Sequence, residues 1–294
     1  MKVDFHCHSR ASDGTWLPAS LVAAAMRRSF AAIALTDHDG CSGVAEFLAA
    51  DSGDTLAVAG VEFSVEPGEG FDKFHLLGLG IDPESPSLRA LAERAAAGRE
   101  ERNKAILENF AKIGIRIPLD ELVACSGGGM LARPHIARWL CLHGYAPGRQ
   151  AAFEKYLLPN SPAATRCHEE RWRPAPEDAF RAIREAGGIS VMAHPRYWRR
   201  RWRRTGPEFD VAERGLAMLK EAGLDGLECL YQANTRAENA GFTEIATRLG
   251  LLKTAGSDFH GANKPDVKLG MEVPEGFAEP VIERLSRRRG AASA

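Results

Sequence analysis

The sequence lacks the features that mark several large classes of protein. Its 38 basic and 39 acidic residues leave a formal charge of -1, so no overall field predicts binding to nucleic acid or to a membrane surface. No apolar run approaches the roughly 18 residues that a membrane span needs, and no charged and apolar leader precedes the first predicted strand. We expect a soluble, cytoplasmic protein without a membrane partner or an obligate protein partner.

Cysteine pairs and common nucleotide motifs are also missing. The six cysteines are scattered without a CxxC pair, which argues against a zinc ribbon or a disulfide framework in a chain of 294 residues. No GxSxG, GxxxxGK[ST] or GxGxxG motif indicates a serine nucleophile or a phosphate-binding loop. The length predicts one large α/β domain or a core domain with an insertion.

Two histidines near the N-terminus are the first positive signal, in Asp4-Phe5-His6-Cys7-His8. A strand places the side chains of residues i and i+2 on one face, so His6 and His8 can bind one metal ion together while Cys7 faces the opposite layer. The pair alone is weak, because such spacing also arises by chance.

Short apolar runs that end in polar clusters recur along the chain. Helical patterns lie between them, and this repetition is typical of a (β/α) barrel whose site gathers at the C-terminal ends of the strands. His75 lies inside an apolar run and is predicted near the start of a strand beside the same mouth. The runs at 31–35, 55–61, 188–193 and 251–255 end at Thr36-Asp37-His38-Asp39, at Glu62, at His194-Pro195 and at Gly256-Ser257-Asp258-Phe259-His260.

One segment breaks this alternation. From about residue 86 to residue 173 the pattern is mainly helical, with Arg133-Pro134-His135 opening one helix and no strand–helix repeat. We therefore predict an inserted helical cap at 86–173, carried by a barrel that is formed by 1–85 and 174–294.

The polar strand ends together provide nine candidate metal ligands. Imidazole and carboxylate groups suit Zn, Mn or Fe, a carboxylate such as Glu62 can bridge two ions, and nine ligands suffice for two or three. Divalent ions about 3.5–4 Å apart acidify a water to a nucleophilic hydroxide and clamp phosphate oxygens, so the set predicts phosphoester hydrolysis without a side-chain nucleophile. The candidates are His6, His8, Asp13, His38, Glu62, His75, His194, Asp258 and His260. Asp37 is predicted to orient a ligand rather than to bind metal.

Four stretches resemble the successive motifs of the polymerase and histidinol phosphatase (PHP) superfamily. They are His6-Cys7-His8, Thr36-Asp37-His38-Asp39, Ala193-His194-Pro195 and Gly256-Ser257-Asp258-Phe259-His260. The resemblance implies a distorted seven-stranded (β/α) barrel with a trinuclear metal centre. Many members have histidine where this chain has Asp13, which makes the third site richer in oxygen and favours Mn over Zn. The implied ligand sets are His6, His8, Glu62 and Asp258 for one ion, Glu62, His75 and His194 for the second, and Asp13, His38 and His260 for the third.

The cap carries a further resemblance. Glu101-Arg102-Asn103 and Ala132-Arg133-Pro134-His135-Ile136-Ala137 resemble the 3',5'-nucleoside-bisphosphate phosphatases, a branch in which some relatives act as 5'-3' exoribonucleases on short RNA. The implied reaction is removal of the 3'-phosphate from a nucleotide such as pAp. A substrate with two phosphates needs a separate cationic clamp for the second one, and the candidates are Arg102, Asn103, Arg133 and His135.

Other interpretations remain open at this point. The same centre could act on histidinol phosphate, or on short RNA from its 5' end, which the arginines and aromatics of Arg196–Arg204 would suit. A protein of another class, a non-catalytic nucleic-acid binder, would use that stretch for binding and keep the metals for structure. Arg102 and Asn103 could also be the solvated face of a charged helix.

Overall fold

The computed structural model describes residues 1–53, 55–68, 72–126, 129–198 and 208–292. These residues form one eight-stranded sheet that is curved into a barrel and surrounded by helices. The strands are β1 (Lys2–Cys7), β2 (Ala32–Leu35), β3 (Leu56–Val65), β4 (Phe74–Leu79), β5 (Ile189–Ala193), β6 (Gly226–Tyr231), β7 (Leu252–Gly256) and β8 (Met271–Glu272). The helices beside the barrel are α1 (Pro18–Arg27), α2 (Val44–Ala49), α7 (Pro176–Glu185), α8 (Glu208–Ala222), α9 (Arg236–Leu249) and α10 (Glu279–Ala292).

The strand order is β7-β6-β5-β4-β3-β2-β1-β8. The barrel closes where the chain just after β7, at one end of the sheet, lies beside β1 near the other end. Neighbouring strands are parallel except that β4 runs antiparallel to β3 and β5, and β8 antiparallel to β1. The nitrogen of His8 donates to the oxygen of Phe259 (2.9 Å), and that of Asp258 donates to the oxygen of His6 (2.8 Å). The predicted distorted (β/α) barrel is confirmed, with the two-residue β8 as an addition beside β1.

The third strand is longer than the sequence suggested. The apolar run was expected to end at Glu62, but β3 continues through Glu62 to Val65, because the antiparallel β4 pairs with it from Gly60 to Val65. This pairing also explains His75. Since β4 runs in the opposite direction, its first residues lie at the mouth where the parallel strands end, as predicted.

The helices pack apolar faces against the outside of the sheet. Pro18 and Pro176 stand at the first turns of α1 and α7, where a missing backbone N–H costs nothing. On α7, Phe180 and Ile183 are spaced to face one side and are both buried in the core that the strands share. The barrel thus has a rigid apolar wall that fixes the residues at its mouth.

The chain between β4 and β5 is helical and has a second apolar core. Among the described residues of 86–173 there is no strand, and the core includes Phe110, Ile136, Trp139 and Leu157. Its elements are α3 (Pro86–Lys112), α4 (Leu119–Ser126), α5 (Arg133–Leu142), α6 (Arg149–Ala152) and a π-helical turn (Phe153–Leu157). The domain boundaries at 85/86 and 173/174 stay a prediction.

Among the described residues, no helix combines the length and the apolar character that crossing a membrane would require. A cytoplasmic location stays a prediction.

Candidate metal centre

The nine predicted ligands gather at one end of the barrel. Within the described part of the chain they form four overlapping clusters, and in each cluster the ligand atoms lie within 4.8 Å of one another. The clusters are His6, His8 and Asp258; His6, Glu62 and His194; His38, Glu62 and His75; and His8, Asp13, His38 and His260. The structure brings all nine together, while their division among individual ions stays a prediction.

Glu62 lies at the centre of the group and is completely buried. Each of its oxygens is surrounded by ring nitrogens, which is the arrangement that a bridging carboxylate needs. Oε1 lies 2.8 Å from Nδ1 of His75, 3.2 Å from Nε2 of His194 and 3.3 Å from Nε2 of His6, and Oε2 lies 2.8 Å from Nδ1 of His38 and 3.3 Å from Nε2 of His8.

The cluster of His8, Asp13, His38 and His260 is built around Asp13. Its Oδ1 lies 3.2 Å from Nε2 of His260 and 3.7 Å from Nε2 of His38. The Nδ1 atom of His260 lies 2.8 Å from the backbone oxygen of Asp258, to which it can only donate a hydrogen bond. In the neutral imidazole the proton is therefore on Nδ1, and the unprotonated Nε2 faces Asp13. The carboxylate makes this cluster richer in oxygen than an all-histidine site would be.

The hydrogen bonding of these residues fits divalent ions. Four buried polar atoms of the group lie close to one another or to other ligand atoms but make no hydrogen bond of acceptable geometry to the residues that the structure describes: Nδ1 of His8, Oδ1 of Asp13, Nδ1 of His38 and Oε2 of Glu62. Buried polar groups are otherwise almost always paired. Imidazole nitrogens and carboxylate oxygens that are buried together without hydrogen bonds are suited to coordinating Zn, Mn or Fe.

The loop that carries Asp13 is held by Asp37 rather than by the ligands. Asp37 accepts hydrogen bonds from the nitrogen (2.8 Å) and hydroxyl (2.6 Å) of Ser9 and from the hydroxyl of Ser12 (2.5 Å). Because Ser9 and Ser12 precede Asp13 in the same loop, Asp37 supports the loop that carries this predicted ligand. That it orients a metal ligand stays a prediction.

Sequence reasoning missed three residues that contact predicted ligands. Glu228 contacts His6 and His194, while the hydroxyl of Tyr231 donates to Oδ2 of Asp258 (3.1 Å) and Nζ of Lys264 lies 2.5 Å from the same atom. Glu228 and Tyr231 belong to β6, a strand that the sequence analysis did not identify. The available signal was a single glutamate inside the apolar run Leu227–Tyr231.

An arginine cluster lies where the helical segment meets the barrel. Arg99 and Arg171 both contact Oδ2 of Asp39, whereas Arg102 and Arg133 have no carboxylate within ion-pair distance among the described residues. Burial, together with the charges of Arg99 and Arg133, lowers the pKa of the Arg102 guanidinium to about 8. A buried cation among other cations favours a bound anion.

The four predicted clamp residues are not equally placed. Arg133 lines the cleft in front of the metal ligands, while Arg102, Asn103 and His135 are buried beside it. Arg102 donates from Nη2 to Oδ1 of Asn103 (2.7 Å), so these two residues are not a solvated helix face. Nδ1 of His135 accepts from the nitrogen of Ala132 (3.0 Å), which leaves the proton on Nε2 as a free donor.

The cleft has a volume of about 630 Å³ and is lined by metal ligands, cations and aromatic rings. Tyr197 lies in it beside His194, with their ring centroids 5.3 Å apart. Trp198 is buried, and its Nε1 donates to the oxygen of Asp72 (3.0 Å). The remaining residues of the predicted arginine-rich stretch, 199–204, lie outside the described residues.

Comparison with known proteins agrees with this geometry. Residues 4–112 match the family model for the PHP domain. The chain is 34% identical over 291 residues to a 3',5'-nucleoside bisphosphate phosphatase from Chromobacterium violaceum, covering 97% of both chains. The chain belongs to the PHP family. It is 33% identical over 262 residues to a 5'-3' exoribonuclease from Haemophilus influenzae, which covers 88% of this chain and 90% of that one.

Solved structures of PHP relatives have the same fold. An amidohydrolase from Chromobacterium violaceum with bound sulfate superposes with a TM-score of 0.83 at 32% identity, covering 98% of this chain and 97% of that chain. A protein from Bifidobacterium adolescentis, assigned as a metal-dependent phosphoesterase, gives 0.79 at 28% identity and 96% coverage of both chains. These relatives and the ligand clusters assign the chain to the metal-dependent phosphoesterases.

Proposed function

We propose that this PHP protein removes the 3'-phosphate from nucleoside 3',5'-bisphosphates such as pAp and releases the 5'-monophosphate and phosphate. The observation that carries the proposal is the pairing of two anion-binding features. The metal ligands lie at the mouth of the barrel, and the arginine cluster beside them contains Arg102 and Arg133 without carboxylate partners in the described chain. A substrate with two phosphates satisfies both.

The nine clustered side chains would hold two or three divalent ions, with Mn favoured because Asp13 adds a carboxylate to the cluster that contains His38 and His260. Bound there, the ions would supply an activated water and neutralise charge on the phosphate oxygens. The chain needs no side-chain nucleophile for this reaction.

The helical segment 86–173 is proposed to act as a substrate-binding cap. Arg133 contributes a guanidinium to the cleft, Arg102 adds charge behind it, and Nε2 of His135 provides a neutral donor. Guanidinium groups bind phosphate oxygens in a bidentate manner, so this side of the cleft would hold the 5'-phosphate and orient the 3'-phosphate towards the metal ligands. The 34% identity to a nucleoside bisphosphate phosphatase supports this assignment.

The test is phosphate release from pAp by Mn-loaded protein, compared with adenosine 3'-phosphate and 5'-phosphate. We expect pAp to be preferred and the product to be the 5'-monophosphate. His8→Ala removes a ligand and should abolish release, while His143→Ala, on an exposed histidine stacked on Trp139, should leave it unchanged. Absence of release from fully metal-loaded protein would contradict the proposal.

A 5'-3' exoribonuclease activity is the second candidate. It is favoured by Tyr197, whose side chain is 47% exposed and lies in the cleft beside His194 where a base could stack. Comparing kcat/KM for pAp, a short 5'-phosphorylated RNA and histidinol phosphate separates the three substrates. Tyr197→Ala should reduce the value for RNA more than the value for pAp only if RNA is the main substrate.

A further inference from the structure

Glu228 is a buried carboxylate that the predicted ligand set does not include. It lies on β6 next to a register shift against β7 between Glu228 and Leu230, and its side chain is completely buried. Irregularities of this kind commonly redirect a side chain near a functional site. A buried carboxylate is costly unless its partners compensate, so its partners are informative.

The first partner is His6. Oε1 of Glu228 lies 3.0 Å from Nδ1 of His6, and a carboxylate at this distance requires the proton of the imidazole to be on Nδ1. Nε2 then carries the free lone pair. That nitrogen is 3.3 Å from Oε1 of Glu62 and 3.7 Å from Oδ1 of Asp258, inside the ligand cluster.

The second partner is the backbone of His194. Its N–H donates to Oε2 of Glu228 at 2.6 Å, a short bond to a charged acceptor. The φ angle of His194 is 29°, in a region that non-glycine residues rarely adopt, and such a conformation persists only when its surroundings hold it. In this conformation Nε2 of His194 lies 3.2 Å from Oε1 of Glu62.

The chain keeps space for Glu228 at Gly256. A Cβ atom at this position would lie 2.1 Å from Oε1 of Glu228 and 2.4 Å from Cβ of His6. Any side chain at residue 256 would therefore displace the carboxylate from the imidazole. A glycine here is required for space.

We propose that Glu228 is a positioning residue of the metal centre. One carboxylate fixes the tautomer of His6 and the backbone of His194, so that both rings present Nε2 towards Oε1 of Glu62, where divalent metal would be held. The proposal rests on the metal-ligand assignment within the proposed function, but it makes no assumption about the substrate.

Glu228→Gln tests the proposal because it keeps the shape and changes one acceptor into a donor. With its oxygen on the N–H of His194, the amide NH₂ faces Nδ1 of His6 and favours the tautomer that protonates Nε2. We expect the affinity for Mn²⁺, measured by calorimetric titration of metal-free protein, to fall about 10- to 100-fold. The matched control is Asp225→Asn, because Asp225 also accepts from a backbone nitrogen of β5, that of Ser190 (2.9 Å), but has no histidine among its hydrogen-bond partners in the described chain. Asp225→Asn is expected to keep the wild-type affinity for Mn²⁺.

A second measurement needs no substitution and covers the case in which Glu228→Gln does not fold. Nitrogen-15 NMR of histidine-labelled wild-type protein loaded with diamagnetic Zn²⁺ reports which ring nitrogen of His6 binds the metal and which carries the proton, and we expect the proton on Nδ1 and the metal on Nε2. Metal bound to Nδ1 of His6 in the Zn²⁺-loaded protein, or unchanged Mn²⁺ affinity in a folded Glu228→Gln protein, would overturn the proposal. Neither readout contains a nucleotide, so loss of activity on pAp alone would count only against the proposed substrate.

Discussion

Arg99 donates through Nε to Oδ2 of Asp39 at 2.6 Å and thereby connects the helical segment to the residue that follows His38. Arg171 contacts the same oxygen at 2.7 Å from the chain that returns to the barrel. Asp39 also has a positive φ angle of 51°. One buried ion-pair network therefore connects the helical segment, which carries the predicted clamp residues, to the loop that carries the predicted ligand His38.

Breaking this network should destabilise the fold. Arg99→Met removes one partner of a buried pair and is expected to lower the free energy of unfolding by about 3 kcal/mol, because Asp39 is left with incomplete compensation. Urea denaturation in the presence of a chelator measures the effect without a contribution from metal. Arg89→Met, on the same helix but in an exposed pair with Glu84, should change stability by less than about 0.5 kcal/mol. Equal effects of the two substitutions would show that the network contributes no more than a surface pair.

Metal removal should lower the melting temperature. An ion that binds only the folded state adds about 4 kcal/mol at a concentration 1,000 times its Kd, so a chelator should produce a large shift that added Mn²⁺ reverses. His8→Ala should show a smaller shift, and His143→Ala the full one. An identical melting temperature with and without chelator would contradict the metal-site proposal.

The Asp13 cluster should depend on Asn263. The amide of Asn263 donates to the backbone oxygen of Asp13 (2.7 Å), and Arg149 donates to the backbone oxygen of Asn263 (2.7 Å). Asn263→Ala should loosen Asp13 and reduce the metal content by about one ion per chain, measured by elemental analysis after dialysis. Asn109→Ala removes a comparable amide that bonds to Glu169, and it should retain the wild-type metal content. If Asn263→Ala keeps every ion, Asn263 does not support the third site.

The clamp should affect binding of the second phosphate more than the chemical step. Arg102→Ala is expected to raise KM for pAp by about 10-fold or more with a smaller change in kcat, because a buried positive charge that attracts the second phosphate in both ground and transition states is lost. For adenosine 3'-phosphate, which lacks the 5'-phosphate, the two proteins should differ little. Lys104→Ala, two residues along the same helix but exposed, provides the control. A similar loss for both substrates would place Arg102 outside the clamp.

Gly256 should not tolerate even an added methyl group. Gly256→Ala would bring Cβ to 2.1 Å from Oε1 of Glu228, so we expect a loss of about 3 kcal/mol or more in unfolding free energy together with weaker Mn²⁺ binding. Gly148→Ala, where a Cβ meets no atom within 4 Å, should change neither quantity appreciably. Normal metal binding by a folded Gly256→Ala protein would show that the space around Glu228 is less constrained than the distances indicate.

The barrel was predictable because its strands are short apolar runs that stop at polar residues. A strand buried on both faces must be apolar throughout, so the runs before His38 and His194 identified their strands directly. Glu62 was assigned to a strand end although it lies within β3. The sequence does not reveal this, because the direction of β4 decides how far β3 is paired.

The residues that contact ligands were harder to predict than the candidate ligands. His6 and His8 carry a recognisable spacing, whereas Glu228 and Lys264 are common residue types without a motif. Their contacts depend on the neighbouring strand in the barrel and on a short 3₁₀ helix, Gly261–Asn263, before Lys264. Such contacts arise from tertiary packing, which periodicity along one strand does not encode.

The junction of β1 with the residues after β7 also bears on how the protein matures. Backbone bonds join His6 to Asp258 and His8 to Phe259, so the predicted ligands His6 and Asp258 are neighbours although some 250 residues of chain separate them. Contacts of such sequence separation form late in folding, because the loop between them must close first. During synthesis the ribosome must release almost the whole chain before Asp258 can reach His6. The predicted ligand cluster is therefore complete only after most of the chain has been synthesised, and a nascent chain truncated before β7 lacks Asp258 and His260.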